Sequence, residues 1–212
     1  MQCEWLVPWS AGVIEAIAYH NGVEVARTEQ RTAAPPSRLT VASDTKQFAA
    51  DGQGVSVVTV ALADAAGTRY PYGDNRVHFH IEGPARLLSI ENGNPIDTEP
   101  NYGVTSRRGF FGLTRAFLQA TREVRSLSIV IGAILGERGQ PTPDSTAGRL
   151  VAIDCQRTTL CGIPSENNFV VHYTLDGSPP TQANARYTKP FLVELGTTVR
   201  AAVFERGEHL FA

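Results

Sequence analysis

A tandem of all-β sandwich domains is the fold this 212-residue chain predicts, and three observations predict it. Residues 55–62 (VSVVTVAL) form a continuous β-branched and apolar run between Asp51-Gly52 and Ala66-Gly67, the pattern of a strand buried on both faces. Residues 77–81 alternate: Val77, Phe79 and Ile81 point one way and His78 and His80 the other, as in a strand with one wet face. The 19 glycines and 13 prolines sit between short apolar runs rather than in long tails. Such punctuation, roughly every 8–12 residues, belongs to sandwiches.

Taken in order, residues 4–8 and 13–19 are short apolar segments, and Asn21-Gly22 then turns the chain into residues 23–26. Asn-Gly supplies the positive φ angles that a two-residue hairpin turn requires. A hairpin of this size buries no core of its own, so residues 1–34 read as the terminal strands of an incomplete domain. Residues 32–37 (TAAPPS) have the composition of a linker. A central domain follows over 35–137, opening with a strand at 38–42.

Residues 110–136 carry two patterns. Phe110, Leu113, Phe117, Thr121 and Val124 recur at nearly helical spacing, while Leu127, Ile129, Ile131 and Ala133 alternate. Gly109, Gly112, Gly132 and Gly136 make poor helix interiors. Two strands are therefore expected, 114–120 and 127–133, joined by a turn around Arg122-Glu123. A second proline-rich linker spans 138–144, and a small β domain occupies 138–212, with strands at 169–175, 187–195 and 198–204 around an Asp176-Gly177-Ser178-Pro179-Pro180 turn.

Composition narrows the function classes. The chain is 42% hydrophobic and 19% charged with a formal net charge of −2, and its signs are scattered. That leaves no basic footprint for nucleic acid and no polybasic patch for a membrane surface. No apolar run approaches the roughly 20 residues of a spanning helix, and the opening Met1-Gln2-Cys3-Glu4 lacks the regions of a signal peptide. Cys155 and Cys161 form no zinc-site spacing; a loop disulfide and two reduced thiols both fit their separation.

Residues 4–34, with EWLVPWSAGVIEAIAYHNGVEVAR followed by RTAAPP, resemble the end of the immunoglobulin-like domain that follows the catalytic barrel in bacterial glycoside hydrolase family 2 β-galactosidases. Residues 37–136, with ADGQG, VSVVTV, DAAG, P-x-x-DN, F-x-I-EGP and ENGNP, resemble the next immunoglobulin-like domain of those enzymes. Ser89 and Ala85 stand where that family usually has glycine, and Glu91 where it has a small residue. The last domain is similar to the C-terminal module of chitobiases and β-hexosaminidases, through YTLDGSPPT at 173–181, then Tyr187, Pro190-Phe191 and Thr198-Val199-Arg200-Ala201. The resemblance implies tandem immunoglobulin-like β-sandwich domains, an accessory role beside the catalytic barrel of a parent enzyme, and a parent that hydrolyses terminal β-galactosides with retention. A periplasmic or secreted parent is the expectation.

No catalytic residue is assigned. Retaining glycosidases place two carboxyl groups about 5–5.5 Å apart, in this family at the strand ends of a barrel of roughly 250 residues. The chain has no βα repeat, and Glu166-Asn167-Asn168 is the wrong order for the family's Asn-Glu motif. Nucleophile elbow, phosphate loop and HExxH are missing from the sequence. His78 and His80 share a face without a third ligand and are left as a solvated pair; no metal or cofactor is expected.

Weak carbohydrate binding is the remaining chemistry, since sugars stack on aromatic rings while carboxamides and carboxylates bond their hydroxyls. Trp5, Trp9, Asp74, Asn75, Asn92 and Asn94 are the candidates. Each also has a structural reading: Trp5 as strand core, Trp9 as packing at a domain junction, and the four polar residues as turn formers that bond their own backbone. Tyr173, Tyr187, Phe191 and Phe204 read as the core of the small domain. A free-standing carbohydrate-binding module and an immunoglobulin-like adhesion protein are the alternatives to the accessory role.

Overall fold

The computed structural model describes residues 4–45, 47, 49–123, 127–135, 149–161, 169–194, 196–205 and 208–211. These contain strands and no helix. The linker expected at 138–144 and the Glu166-Asn167-Asn168 string lie outside the described residues.

The first two strands, β1 (Val13–His20) and β2 (Val23–Arg31), pair antiparallel as a two-stranded sheet. Asn21 and Gly22 close it with φ of 49° and 79°, the left-handed pair that the dipeptide predicted. Only Ile17 of β1 is even half-buried, and every residue of β2 is exposed.

A sandwich follows. One sheet has the order β3-β4-β8-β6, built from β3 (Arg38–Ser43), β4 (Val55–Ala63), β6 (Ala85–Glu91) and β8 (Leu113–Ala120). The facing sheet has the order β13-β10-β9-β5-β7, from β5 (Arg76–Glu82), β7 (Ser106–Arg108), β9 (Leu127–Leu135), β10 (Arg149–Cys161) and β13 (Phe191–Val193). Period-2 alternation puts Val58, Val60, Leu62, Ile90, Ala116 and Leu118 of the first sheet against Val77, Phe79, Leu127, Ile129, Ile131 and Leu135 of the second. Each large aliphatic side chain buried there contributes about 1.5–3 kcal/mol.

The strand at 55–62 is therefore one-sided. Ser56, Val58, Val60 and Leu62 are buried, while Val55 is 48% exposed and Val57, Thr59 and Ala61 are half-buried. The expectation of burial on both faces fails because no second layer covers the outer face of this sheet among the described residues. The two strands drawn from the ambiguous stretch 110–136 are both present, as β8 and β9.

The strand β10 starts beyond the boundary drawn at 137–138, yet it pairs with β9 from Ala152↔Leu135 to Cys161↔Leu127. Cys155 and Cys161 lie on this one extended strand, about 20 Å apart at 3.3 Å per residue. A disulfide spans at most about 7 Å between Cα atoms, so the loop-disulfide reading is corrected.

The last sheet has the order β12-β11-β14-β15, from β11 (Phe169–Thr174), β12 (Ala185–Arg186), β14 (Arg200–Glu205) and β15 (Glu208–Phe211). Tyr173, Tyr187 and Phe191 pack on Val171, Val193 and Val203, with the Tyr173 and Phe191 rings stacked at 4.6 Å. Phe204 is buried as expected, 7% exposed, but outside that cluster. It follows Val203 directly and so occupies the opposite face, its ring edge-on to His172 and His209.

Candidate functional site

Strand directions gather the functional candidates at one end of the sandwich. The pairs Arg38↔Ala63 and Ala61↔Leu113 place the start of β3, the end of β4 and the start of β8 side by side. Because β6 pairs antiparallel with β8, its end lies there too, at Glu91↔Arg115. The linker at 32–37, the β4–β5 loop, the β6–β7 loop and the β7–β8 turn thus share one rim, the usual address of function on a sandwich.

The β6–β7 loop is built around a buried cation. Arg107 comes from β7, where its side chain, 4% exposed, meets Asp97 Oδ2 at 2.9 Å. It also donates to the carbonyls of Glu99 and Pro100 at 3.0 and 2.9 Å. Asn92 donates to the same Asp97 oxygen at 2.8 Å and to the Arg108 carbonyl at 3.0 Å, and its own oxygen accepts the Asn94 amide. Asn94 in turn accepts the Ile96 amide. The Glu99 amide, then Asn92, outweigh the burial of Asp97 and, with Arg107, hold its carboxyl below the usual range.

The β4–β5 loop and β7–β8 turn lock together through backbone. Gly112 donates to Gly73 O at 3.0 Å and accepts from Leu62 N at 2.8 Å. Its φ is +72°, and a Cβ there would lie 2.2 Å from Tyr70 O. Only glycine fits. Phe111 before it has φ +50° and is 59% exposed, and its carbonyl accepts from Arg69 Nη1 at 2.9 Å. The same strictness holds the linker: buried Asp64 accepts the amides of Ala34, Ala66 and Thr68 at 2.9–3.1 Å. Burial acts against its charge, but those amides outweigh it and keep the carboxyl low.

Between this rim and the residues entering the hairpin lies an open groove of about 840 Å³. One wall carries Trp9, 84% exposed, and the other Tyr70 and Tyr72, whose rings meet edge-on at 6.1 Å. Tyr72 is 81% exposed. Glu29, Arg31 and Arg69 add charge to the lining, with Arg31 paired to Glu29 at 3.2 Å.

The six sequence candidates thus separate. Asp74, Asn75, Asn92 and Asn94 come together around the end of β7: Asp74 Oδ2 sits 3.8 Å from Arg108 Nη1, and buried Asn75 accepts the Gly109 amide on its carbonyl. The side chains of Asn92 and Asn94 are committed to the loop. Trp9 stands on the groove wall. Trp5 is corrected from strand core: residues 4–10 form no strand, and its ring is 70% exposed. Sequence reasoning missed Tyr70 and Tyr72, although two tyrosines flanking Pro71 in a loop were a visible signal. It also missed Arg107, whose burial has no apolar signature.

Among the described residues, the carboxyl groups with a displaced pKa move down. Asp44, Asp51 and Asp176, like Asp64 and Asp97, are held low chiefly by hydrogen bonds. A glycosidase acid needs its carboxyl raised. His78 is not the solvated residue expected; burial, then the Arg76 charge, pushes its pKa down. His80 stands 4.0 Å from Glu82, and no metal-holding cluster occurs among the described residues.

Comparison with known proteins agrees along the chain. Residues 39–141 match the model of the glycoside hydrolase family 2 C-terminal domain 5, and residues 151–210 that of the chitobiase/β-hexosaminidase C-terminal domain. A protein of Formosa agariphila bearing a β-glucuronidase name is 39% identical over 212 residues, 98% of this chain and 20% of that protein. A β-galactosidase of Bacteroides ovatus is 31% identical over 54% of this chain and 13% of its own length. The crystal structure of a β-glycosidase from Bacteroides vulgatus superimposes with a TM-score of 0.58 at 33% identity, over 61% of this chain and 17% of that one. The chain spans about a fifth of the length of the first of these relatives.

Proposed function

From the matches of residues 39–141 to the glycoside hydrolase family 2 C-terminal domain 5 and of residues 151–210 to the chitobiase/β-hexosaminidase C-terminal domain, we propose that the chain is the non-catalytic C-terminal accessory region of a β-glycosidase. Its work is to pack beside the catalytic barrel of the parent and hold that assembly together. The observation that carries this reading is the β1–β2 hairpin. Its Val23 and Val25 are 61–65% exposed, apolar surface that a two-stranded sheet does not keep in water by itself. We read residues 1–34 as the last strands of a preceding immunoglobulin-like domain whose other layer covers that surface, 35–137 as the central sandwich, which borrows β10 from the segment beyond it, and the remainder of 138–212 as the terminal module.

The parent would cleave terminal β-glycosides with retention. The motif resemblance and the B. ovatus relative favour a β-galactoside; the match to the F. agariphila protein favours a β-glucuronide. The purified chain incubated with chromogenic β-galactoside and β-glucuronide is expected to give no turnover above a denatured control. Turnover of either would overturn the accessory role.

A further inference from the structure

We propose that the groove between Trp9 and Tyr72 is a carbohydrate-binding site that takes an oligosaccharide. Three independent features converge there. The first is aromatic surface on both walls, with Trp9 and Tyr72 each more than four-fifths exposed, although neither lies in a strand or a core. Rings left this exposed are suited to the apolar face of a pyranose. The second is size and chemistry. About 840 Å³ falls within the range of small-ligand sites, and Glu29, Arg31 and Arg69 supply acceptors and donors for sugar hydroxyls along the lining.

The third feature is rigidity. Tyr70 and Tyr72 sit on a loop clamped by the Gly112–Gly73 and Tyr70–Leu62 backbone bonds, and Arg69 is fixed on the Phe111 carbonyl at 2.9 Å. On the other wall, Gly12 accepts the Thr32 amide at 2.8 Å and donates to Thr32 Oγ1 at 3.1 Å, which ties the Trp9 segment to the linker. Asp64 then ties the linker to the sandwich through Ala34. The tyrosine wall is therefore held by backbone bonds before any ligand arrives, which lowers the ordering cost of binding on that side. Asp64 acts as a positioning residue, its carboxylate accepting the Ala34 amide of the linker and the Thr68 amide of the tyrosine-bearing loop.

The site deepens the accessory reading by giving the region a ligand, and the two fail separately: turnover by the chain would end the accessory role without bearing on binding. The test is calorimetric titration of the full 212-residue chain with galacto-, xylo-, chito- and glucuronate-containing oligosaccharides up to about 10 mM, the weak end of measurable affinity. Binding of at least one class is expected. Affinity should fall about tenfold or more in both Trp9→Ala and Tyr72→Ala, the loss of roughly one stacking contact. Trp5→Ala, off the groove, should bind as the parent does. Asp64→Asn should weaken binding while the tryptophan emission shift that reports stacking on Trp9 shrinks, even with ligand at saturation. Because Trp9 and Tyr72 are exposed, their variants should keep the parent's melting temperature. No binding across the panel would overturn the proposal, as would binding that survives both aromatic substitutions.

Discussion

Replacing Arg107 by alanine tests whether the β6–β7 loop is organised from inside. The guanidinium is 4% exposed and its ion-pair partner Asp97 13% exposed, and the substitution deletes that pair together with two bonds to the Glu99 and Pro100 carbonyls. Removing one member of a buried pair costs about 3–5 kcal/mol, because the other is left charged in a poor solvent. Asp97 keeps its bonds from Asn92 and the Glu99 amide, which places the expected loss near the lower end, about 3 kcal/mol. In a sandwich of this size each kcal/mol moves the midpoint by about 4–8 °C, so thermal unfolding followed by circular dichroism should fall by more than 10 °C or so. Asp97→Asn keeps the shape and removes the charge; it should cost roughly half as much. The pH dependence carries the sign. Asp97 titrates lower in the folded chain than the unfolded value of about 3.9, so its contribution is complete above that pH and is lost as pH falls through the folded pKa. The gap between parent and Arg107→Ala should therefore narrow below about pH 4. A variant within about 1 kcal/mol of the parent at neutral pH, or a gap that widens on acidification, would refute this account.

Other outcomes follow from single positions. His78 is held neutral by burial, so stability should be complete above its unfolded value of 6.5 and decline as pH falls toward the lower folded pKa; His78→Gln should flatten the denaturant midpoint between about pH 7.5 and 5.5. Gly112→Ala combines a φ of +72° with a 2.2 Å approach to Tyr70 O and should cost at least about 2 kcal/mol in a denaturant melt. Gly67→Ala, at φ +89° with open space around it, should cost only about 1 kcal/mol, and equal losses would show that the clash plays no part. Native-state hydrogen exchange should find residues 13–26 much less protected than residues 55–62; equal protection would mean that the hairpin is stabilised by the rest of this chain.

The sequence declared most of the strands, because alternation survives wherever one face is buried and the other wet. Val77 and Phe79, buried against half-buried His78 and His80, are such a case, and so are the β9 residues from Leu127 to Ala133. Three things stayed hidden. The three-residue β7 (Ser-Arg-Arg) is polar, and the burial of its middle arginine depends on Asp97, ten positions earlier in the chain but reached through a loop whose path is not local. The strand β10 was passed over because Asp154, Gln156 and Arg157 break its apolar run, and pairing with β9 is a long-range fact. Trp5 was misplaced because an apolar neighbourhood in sequence does not guarantee a neighbour in space. The rim itself was half legible: Asn92 and Asn94 were recognised as loop residues, but the groove needs Trp9 and Tyr72, more than sixty residues apart, to be seen together.

The pairing of β10 with β9 decides how this molecule can be cut. The match to the first family model ends at residue 141 and that to the second begins at 151, and a truncation there looks natural on paper. It would strip β9 of its partner and leave nine residues of bare backbone donors and acceptors beside Leu127, Ile129, Ile131 and Leu135. An unguarded apolar edge of that length is a template for further chains. A shortened protein ending near 141 should therefore be recovered as aggregates, and dissection of this region has to carry β10 along with the sandwich that it completes.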